Sequence, residues 1–205
     1  MNEQRILEIA TRVIDNESLA LTSLAKQIGP SLAQIGQLVE MLLGCRGHVI
    51  VSGAGTSHAV ALRFAHLLSC VGTPAFFLHP GDSQHGAAGA LRSEDVWIGL
   101  SKGGETSEVC FLAGAAKRRG VKVVAITEKP ASTLGKIADL VLEIKAPEDI
   151  DPFGMIATGS SLFNSAFCDA LCVVLLNLRE YSLEQFGETH PGGAVGQKLK
   201  GAINA

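Results

Sequence analysis

From Gly47 onward the chain repeats one pattern: a short run that is apolar along its whole length, then a longer stretch with helical periodicity. The runs cover residues 48–52, 74–79, 95–101, 121–127 and 140–144. They are rich in β-branched and aromatic residues and do not alternate with polar ones, as expected of strands covered on both faces. Strand–helix alternation at this spacing restricts the topology to right-handed crossovers and a parallel sheet. The expected architecture is an α/β three-layer sandwich on a five-stranded parallel sheet. Ahead of it, residues 3–27 and 31–44 place Ile6, Ile9, Val13 and Ile14, then Ile35, Leu38 and Leu42, at helical spacing and predict two N-terminal helices. Residues 160–180 predict a long helix, apolar around most of its circumference, which must be buried deeply or pressed against another subunit.

With 205 residues and 47% hydrophobic content the chain can bury one sizeable core, and residues 1–205 are read as a single domain. A net charge of −3 gives no basis for a nucleic-acid partner. The Lys117-Arg118-Arg119 cluster reads as the solvated end of a helix. No uncharged apolar stretch reaches the roughly 18 residues of a transmembrane helix, and the N-terminus has no signal-peptide pattern, so no membrane partner and a cytoplasmic location are expected. Cys45, Cys70, Cys110, Cys168 and Cys172 are odd in number and form no CxxC pair, which suits small packed residues in a reducing compartment.

Two of the predicted strands end in turns rich in glycine and hydroxyls. Gly53-Ala54-Gly55-Thr56-Ser57-His58 follows the first run, and Ser101-Lys102-Gly103-Gly104-Glu105-Thr106-Ser107 follows the third. Each leads into a helical pattern, so backbone N–H groups and hydroxyls converge at the positive end of a helix dipole, an arrangement that holds phosphate. The first turn is not a dinucleotide fingerprint, because His58 stands where a third glycine is needed, and neither turn is a Walker loop. No His/Cys cluster has metal-ligand spacing and no GxSxG elbow is present, so neither a metal, another cofactor nor a serine nucleophile is expected. Acid–base candidates are His85, in a loop-forming segment, His190, before Pro191-Gly192-Gly193, and the carboxylates Glu105, Glu148 and Asp149. His48, His58 and His66 read as packed or solvated histidines.

Residues 47–200, about three quarters of the chain, resemble a sugar isomerase (SIS) domain, and within that superfamily they are most similar to arabinose-5-phosphate isomerases. The resemblance is carried by residues 72–81, by His85-Gly86, by Gly104-Glu105-Thr106-Ser107-Glu108 and by the segment His190-Pro191-Gly192-Gly193-Ala194-Val195-Gly196-Gln197-Lys198-Leu199. It implies an aldose–ketose isomerase that needs no cofactor and assembles as a homo-oligomer, a tetramer. It implies a phosphate grip from Ser101, Gly103 and Thr106 with help from Ser57, active-site histidines at His85 and His190, and catalytic carboxylates at Glu105 and Asp149. Three departures stand out. Thr56 replaces the family's lysine, with Lys102 as the candidate replacement; Asp149 is one methylene shorter than the family's glutamate; and the segment 156–161, with Ser160 as a candidate substrate contact, differs from a threonine-rich run. Longer members append two CBS modules, and the resemblance here is to a form without them. The alternatives are an isomerase of another pentose or hexulose phosphate, and a sensor that binds a sugar phosphate without turning it over.

Overall fold

A computed structural model describes residues 2–203 of the chain. Two helices open it, α1 (Glu3–Ile28) and α2 (Leu32–Leu43). The alternating part follows: β1 (Val49–Gly53), α3 (Thr56–Cys70), β2 (Ala75–Phe77), β3 (Val96–Leu100), α4 (Ser107–Arg118), β4 (Lys122–Thr127), α5 (Thr133–Ile137), β5 (Leu140–Glu143) and α6 (Gly159–Leu178). Two short helices, α7 (Leu183–Thr189) and α8 (Gly193–Ile203), close it. All strand pairs are parallel, in the order β2-β1-β3-β4-β5.

The strands are apolar throughout because successive side chains enter two different cores. Val49 and Val51, Ile98 and Leu100, Val124 and Ile126 point into a core shared with α1, α2, α3 and α6. Their neighbours Ile50, Trp97, Val123 and Ala125 point into a second core with Val109, Leu112 and Ala113 of α4 and Leu134 of α5. The polar groups of Trp97 and Ser52 in the middle of the sheet are satisfied: the buried Trp97 indole donates to Ser52 Oγ at 3.0 Å, and Ser52 donates to the Leu78 carbonyl at 2.7 Å.

β2 is shorter than the run 74–79 suggested. Pro74 has no N–H to give to the ladder, and His79-Pro80 turns the chain into a 3-10 segment, Gly81–His85. At the opposite edge, just past β5, the Gln27 side-chain amide takes both backbone groups of Lys145, at 2.9 and 3.2 Å, which blocks strand addition there.

By length and composition α6 could cross a membrane, but in this fold it packs on α1, α2 and α3 and buries Phe163, Phe167, Leu171 and Leu175. Cys168 and Cys172 share that buried face, and burial pushes both thiols up, Cys172 to about 12, so they pack as small apolar residues. Val173, Val174 and Leu178 of α6 stay exposed, as do Ile6, Leu7, Ile14 and Leu19 of α1, a helix in which only Ala20 and Leu24 are buried. α7 is a helix that periodicity did not reveal; its signal was the capping box of Ser182 and Gln185, with both reciprocal hydrogen bonds formed.

Candidate functional site

The strand order reverses at β1, with β2 on one side and β3 on the other, so the loops leaving β1 and β3 part to form a crevice at the carboxyl edge of the sheet. The two hydroxyl-rich turns meet there. In the first, Gly55 takes φ of 57°, which favours a residue without Cβ, and the chain enters α3 with no side chain capping its first turn. Thr56 and Ser57 therefore stand beside unsatisfied backbone N–H groups.

The second turn is fastened more firmly. Ser101 is buried, its Oγ accepts from Gly104 N at 3.1 Å and lies 3.1 Å from Thr106 Oγ1. Gly104 has φ of 67°, and a Cβ there would lie 2.0 Å from Ser132 Oγ, so only glycine fits. Its carbonyl accepts from Leu134 N at 3.0 Å. Thr106 caps α4 by position only, with no side-chain bond to the helix, which leaves the donors of the first turn of α4 for an incoming anion.

Between the turns and the start of α6 lies a small cleft lined by Thr56, Ser57, Lys102, Ser160, Ser161 and Asn164, with Val60 and Leu100 beneath. Lys102 reaches across it to Asp151, Nζ to Oδ2 3.0 Å. The Asp151 side chain is 1% exposed, and its other oxygen accepts from Ser160 N at 2.9 Å. Burial opposes that charge, but the Ser160 bonds and the Lys102 ammonium outweigh it and hold the carboxyl below the usual carboxylate range. Sequence reasoning missed Asp151. It lies 49 residues from Lys102, and no local pattern links them.

The acid–base candidates lie elsewhere. Asp149 is exposed and faces α1, where it lines a separate groove with Asn16, Leu19 and Ala20; the carboxylate after β5 that reaches the cleft is Asp151. The buried side chain of Ile150 sits between the two and sends them to different sides. Glu105 belongs to the second turn, but both its oxygens rest on Thr133, with N at 2.9 Å and Oγ1 at 2.7 Å, which hold its carboxyl below the usual range. His85 is exposed in its 3-10 turn. His190 stacks on Phe186, ring centroids 3.9 Å apart, with Nδ1 3.0 Å from both the Phe186 carbonyl and Thr189 Oγ1. Of the residues expected at the site, the chain brings Thr56, Ser57, Lys102 and Ser160 to the cleft and holds Ser101, Gly103, Glu105 and Thr106 in the adjoining turn. It does not bring Asp149, His85 or His190 to the cleft. Such an arrangement can hold an anion and present an ammonium beside it. Among the described residues, no three His, Cys, Asp or Glu side chains gather at one point to ligate a metal.

The SIS domain family model matches residues 41–174. Arabinose 5-phosphate isomerase KdsD of Yersinia pestis is 36% identical over 176 residues, 82% of this chain and 54% of the relative. The chain spans about half the length of the curated relatives it matches. Among solved structures, a provisionally named sugar-phosphate isomerase from Listeria monocytogenes superposes with a TM-score of 0.88 at 36% identity, covering 94% of this chain and 100% of its own. A protein of E. coli CFT073 solved in complex with arabinose 5-phosphate gives a TM-score of 0.87 at 28% identity, covering 93% of this chain and 100% of its own.

Proposed function

The chain belongs to the SIS domain family, and from that premise we propose that it is an aldose–ketose isomerase of a sugar phosphate, interconverting arabinose 5-phosphate and ribulose 5-phosphate. The observation that carries this reading is the hydroxyl- and glycine-rich turn 101–106 beside a cleft that Lys102 lines, in a chain 36% identical to a named arabinose 5-phosphate isomerase.

The phosphate is held by Ser101, Gly103, Thr106 and Ser57, with the backbone donors that open α4. This grip is remote from the reacting carbons and supplies binding energy for positioning the open-chain sugar. A base removes the proton from C2, the C1 carbonyl oxygen takes the charge as an enediolate, a proton passes from O2 to O1, and a proton returns to C1. Glu105 is our choice for the carbon base, since it shares the turn with the phosphate ligands while Asp149 faces α1. His85 and His190 serve ring opening and the oxygens.

We read the active unit as a homo-oligomer, a tetramer, in the cytoplasm, with the whole chain as one domain. Support for assembly is twofold: neither histidine lines its own chain's cleft, and α1 and α6 carry exposed apolar side chains such as Leu7, Ile14 and Val173. A panel of pentose and hexose 5- and 6-phosphates, assayed for ketose formation, tests the function. Turnover of arabinose 5-phosphate above the others is expected. Binding of a sugar phosphate without turnover of any would replace the isomerase with a sensor.

A further inference from the structure

The cleft has two sides that belong to opposite faces of the sheet. The turn 101–106 leads into α4, whereas Thr56, Ser57, Ser160 and Asn164 start α3 and α6, which pack on the other face. Lys102 crosses from the first side to the second. Its backbone is fixed in the turn, where its carbonyl accepts from Glu128 N at 3.0 Å and from Thr127 Oγ1 at 3.1 Å. Its ammonium ends at Asp151, beside the N-terminus of α6.

The two partners differ in freedom. The Asp151 side chain is 1% exposed and is held from behind by Ser160 N, while the Lys102 side chain is 41% exposed. An ammonium has three donors, and among the described residues Asp151 is the acceptor that Lys102 Nζ meets. The Lys102 side chain itself lines the cleft, where its other donors can meet a ligand. A long flexible cation is thereby pinned before the ligand arrives, which removes much of the entropy cost of ordering it.

Resting on the isomerase reading above, we propose that Asp151 is a positioning residue that holds Lys102 over the cleft, and that the Lys102 ammonium meets the sugar oxygen that becomes negative in the reaction, not the phosphate. A phosphate seated on Ser101 and Thr106 lies at the α4 side, and the sugar extends from it toward α3 and α6, where the ammonium waits. The fixed carboxylate also tempers the field of the cation. A half-neutralised ammonium adds little to ground-state binding of a dianion, and it is preorganised for charge that appears later.

The test is a double-mutant cycle on the full chain with Lys102→Met, Asp151→Asn and both. The amide oxygen introduced by Asp151→Asn would keep the acceptor for Ser160 N, so this change removes the charge and spares the helix cap. Arabinose 5-phosphate is the substrate, and inorganic phosphate, titrated by calorimetry, is the separate probe of the turn. Lys102→Met is expected to lower kcat by about a hundredfold or more, the usual effect of losing one preorganised donor to a developing oxyanion. Asp151→Asn should lower it about tenfold, and the double variant should be no worse than Lys102→Met. Phosphate affinity should stay within about twofold throughout, and Lys102→Arg should retain part of the activity. Additive losses, an unchanged kcat in Lys102→Met, or a loss confined to phosphate binding would each overturn the proposal. Should Asp151→Asn not fold, Lys102→Met alone decides by the same criterion. A wild-type chain that binds arabinose 5-phosphate without turning it over sinks the isomerase reading instead. The pair is then judged by binding: coupled losses for the sugar phosphate with none for inorganic phosphate uphold it, and no loss overturns it.

Discussion

The turn after β3 and the turn that carries His190 are alike in plan: both are short, contain glycines and open onto a helix. They are fastened differently. The first is tied to distant parts of the chain, by Ser101 N to the Ile126 carbonyl, Glu128 N to the Lys102 carbonyl, Leu134 N to the Gly104 carbonyl and Glu105 to Thr133. The second has bonds of short range, from His190 to Phe186, Gly187 and Thr189, and α7 and α8 pack chiefly on each other. Within one chain the hydroxyl-rich turn is thus tied down by long-range bonds, while the histidine is held by its own short helix and lies outside the cleft that Lys102 lines. The proposed reading therefore gives the phosphate grip to the fold and the part of His190 to the assembly.

The largest expected effect breaks or upholds that contrast directly. His190→Ala should reduce turnover by about 10²–10⁴, the contribution of a positioned acid or base, with phosphate affinity unchanged. Mixing this variant with a Ser101→Ala, Thr106→Ala chain, then unfolding and refolding them together and assaying at substrate too dilute for the second chain to bind, should restore roughly a quarter of the sites, the random share when turn and histidine come from different copies of a symmetric oligomer. No recovery in a mixed oligomer would return His190 to its own chain's cleft.

Next in size is the cost of disturbing the fastened turn. Gly104→Ala forces a left-handed φ on a residue with Cβ, and places that atom 2.0 Å from Ser132 Oγ, which itself caps α5 by accepting from Gly135 N. A loss of about 2–4 kcal/mol in unfolding free energy is expected, from strain and the displaced cap together. The matching change Gly192→Ala meets no atom within 4 Å and should leave stability nearly unchanged. Equal losses at the two positions, measured by denaturant unfolding, would erase the difference in rigidity.

How far the sequence could be read follows the same division. Runs such as 95–101 and 121–127 were legible because strands buried on both faces leave an unbroken apolar signature, and β3 and β4 lie inside them. Thr56, Ser57, Lys102 and Ser160 could be placed near one another because each follows a strand end, and a parallel sheet gathers those ends. Which of Asp149 and Asp151 faces the cleft was not legible. The side is set by where Ile150 finds the core and where Pro152 bends the chain, both tertiary outcomes. The position of His190 was hidden for a similar reason, because a local motif states its neighbours Pro191 and Phe186 but not the surface against which its turn works.

A smaller effect bears on the grip itself. Ser101→Ala with Thr106→Ala should raise the apparent dissociation constant for arabinose 5-phosphate at least about tenfold, since a hydrogen bond to a charged partner contributes about 1.5–3 kcal/mol. The turn should keep its shape, because Gly104 N also donates to the Ser101 carbonyl, at 3.1 Å, and does not depend on the hydroxyl. Unchanged affinity in the folded double variant would make this turn structural only, and the contrast with the histidine turn would lose its functional meaning.

The smallest effect probes the looser region. Ser182 accepts from Gln185 N, and Gln185 Oε1 accepts in return from Ser182 N, so the platform under His190 depends on a cap at the far end of α7. Ser182→Ala removes half of that box, at a cost of about 1 kcal/mol. In a helix with no buried residue of its own, that loss is not absorbed by a core and should show as local opening. Amide exchange along residues 183–190 should quicken by about fivefold, the equilibrium equivalent of that energy, while amides of the turn 101–106 keep their wild-type rates. Exchange that quickens in both regions would mean that α7 is coupled to the sheet edge within one chain. Exchange that quickens in neither would mean that α7 is already clamped from outside, as it would be in an oligomer that docks His190 against a neighbouring cleft.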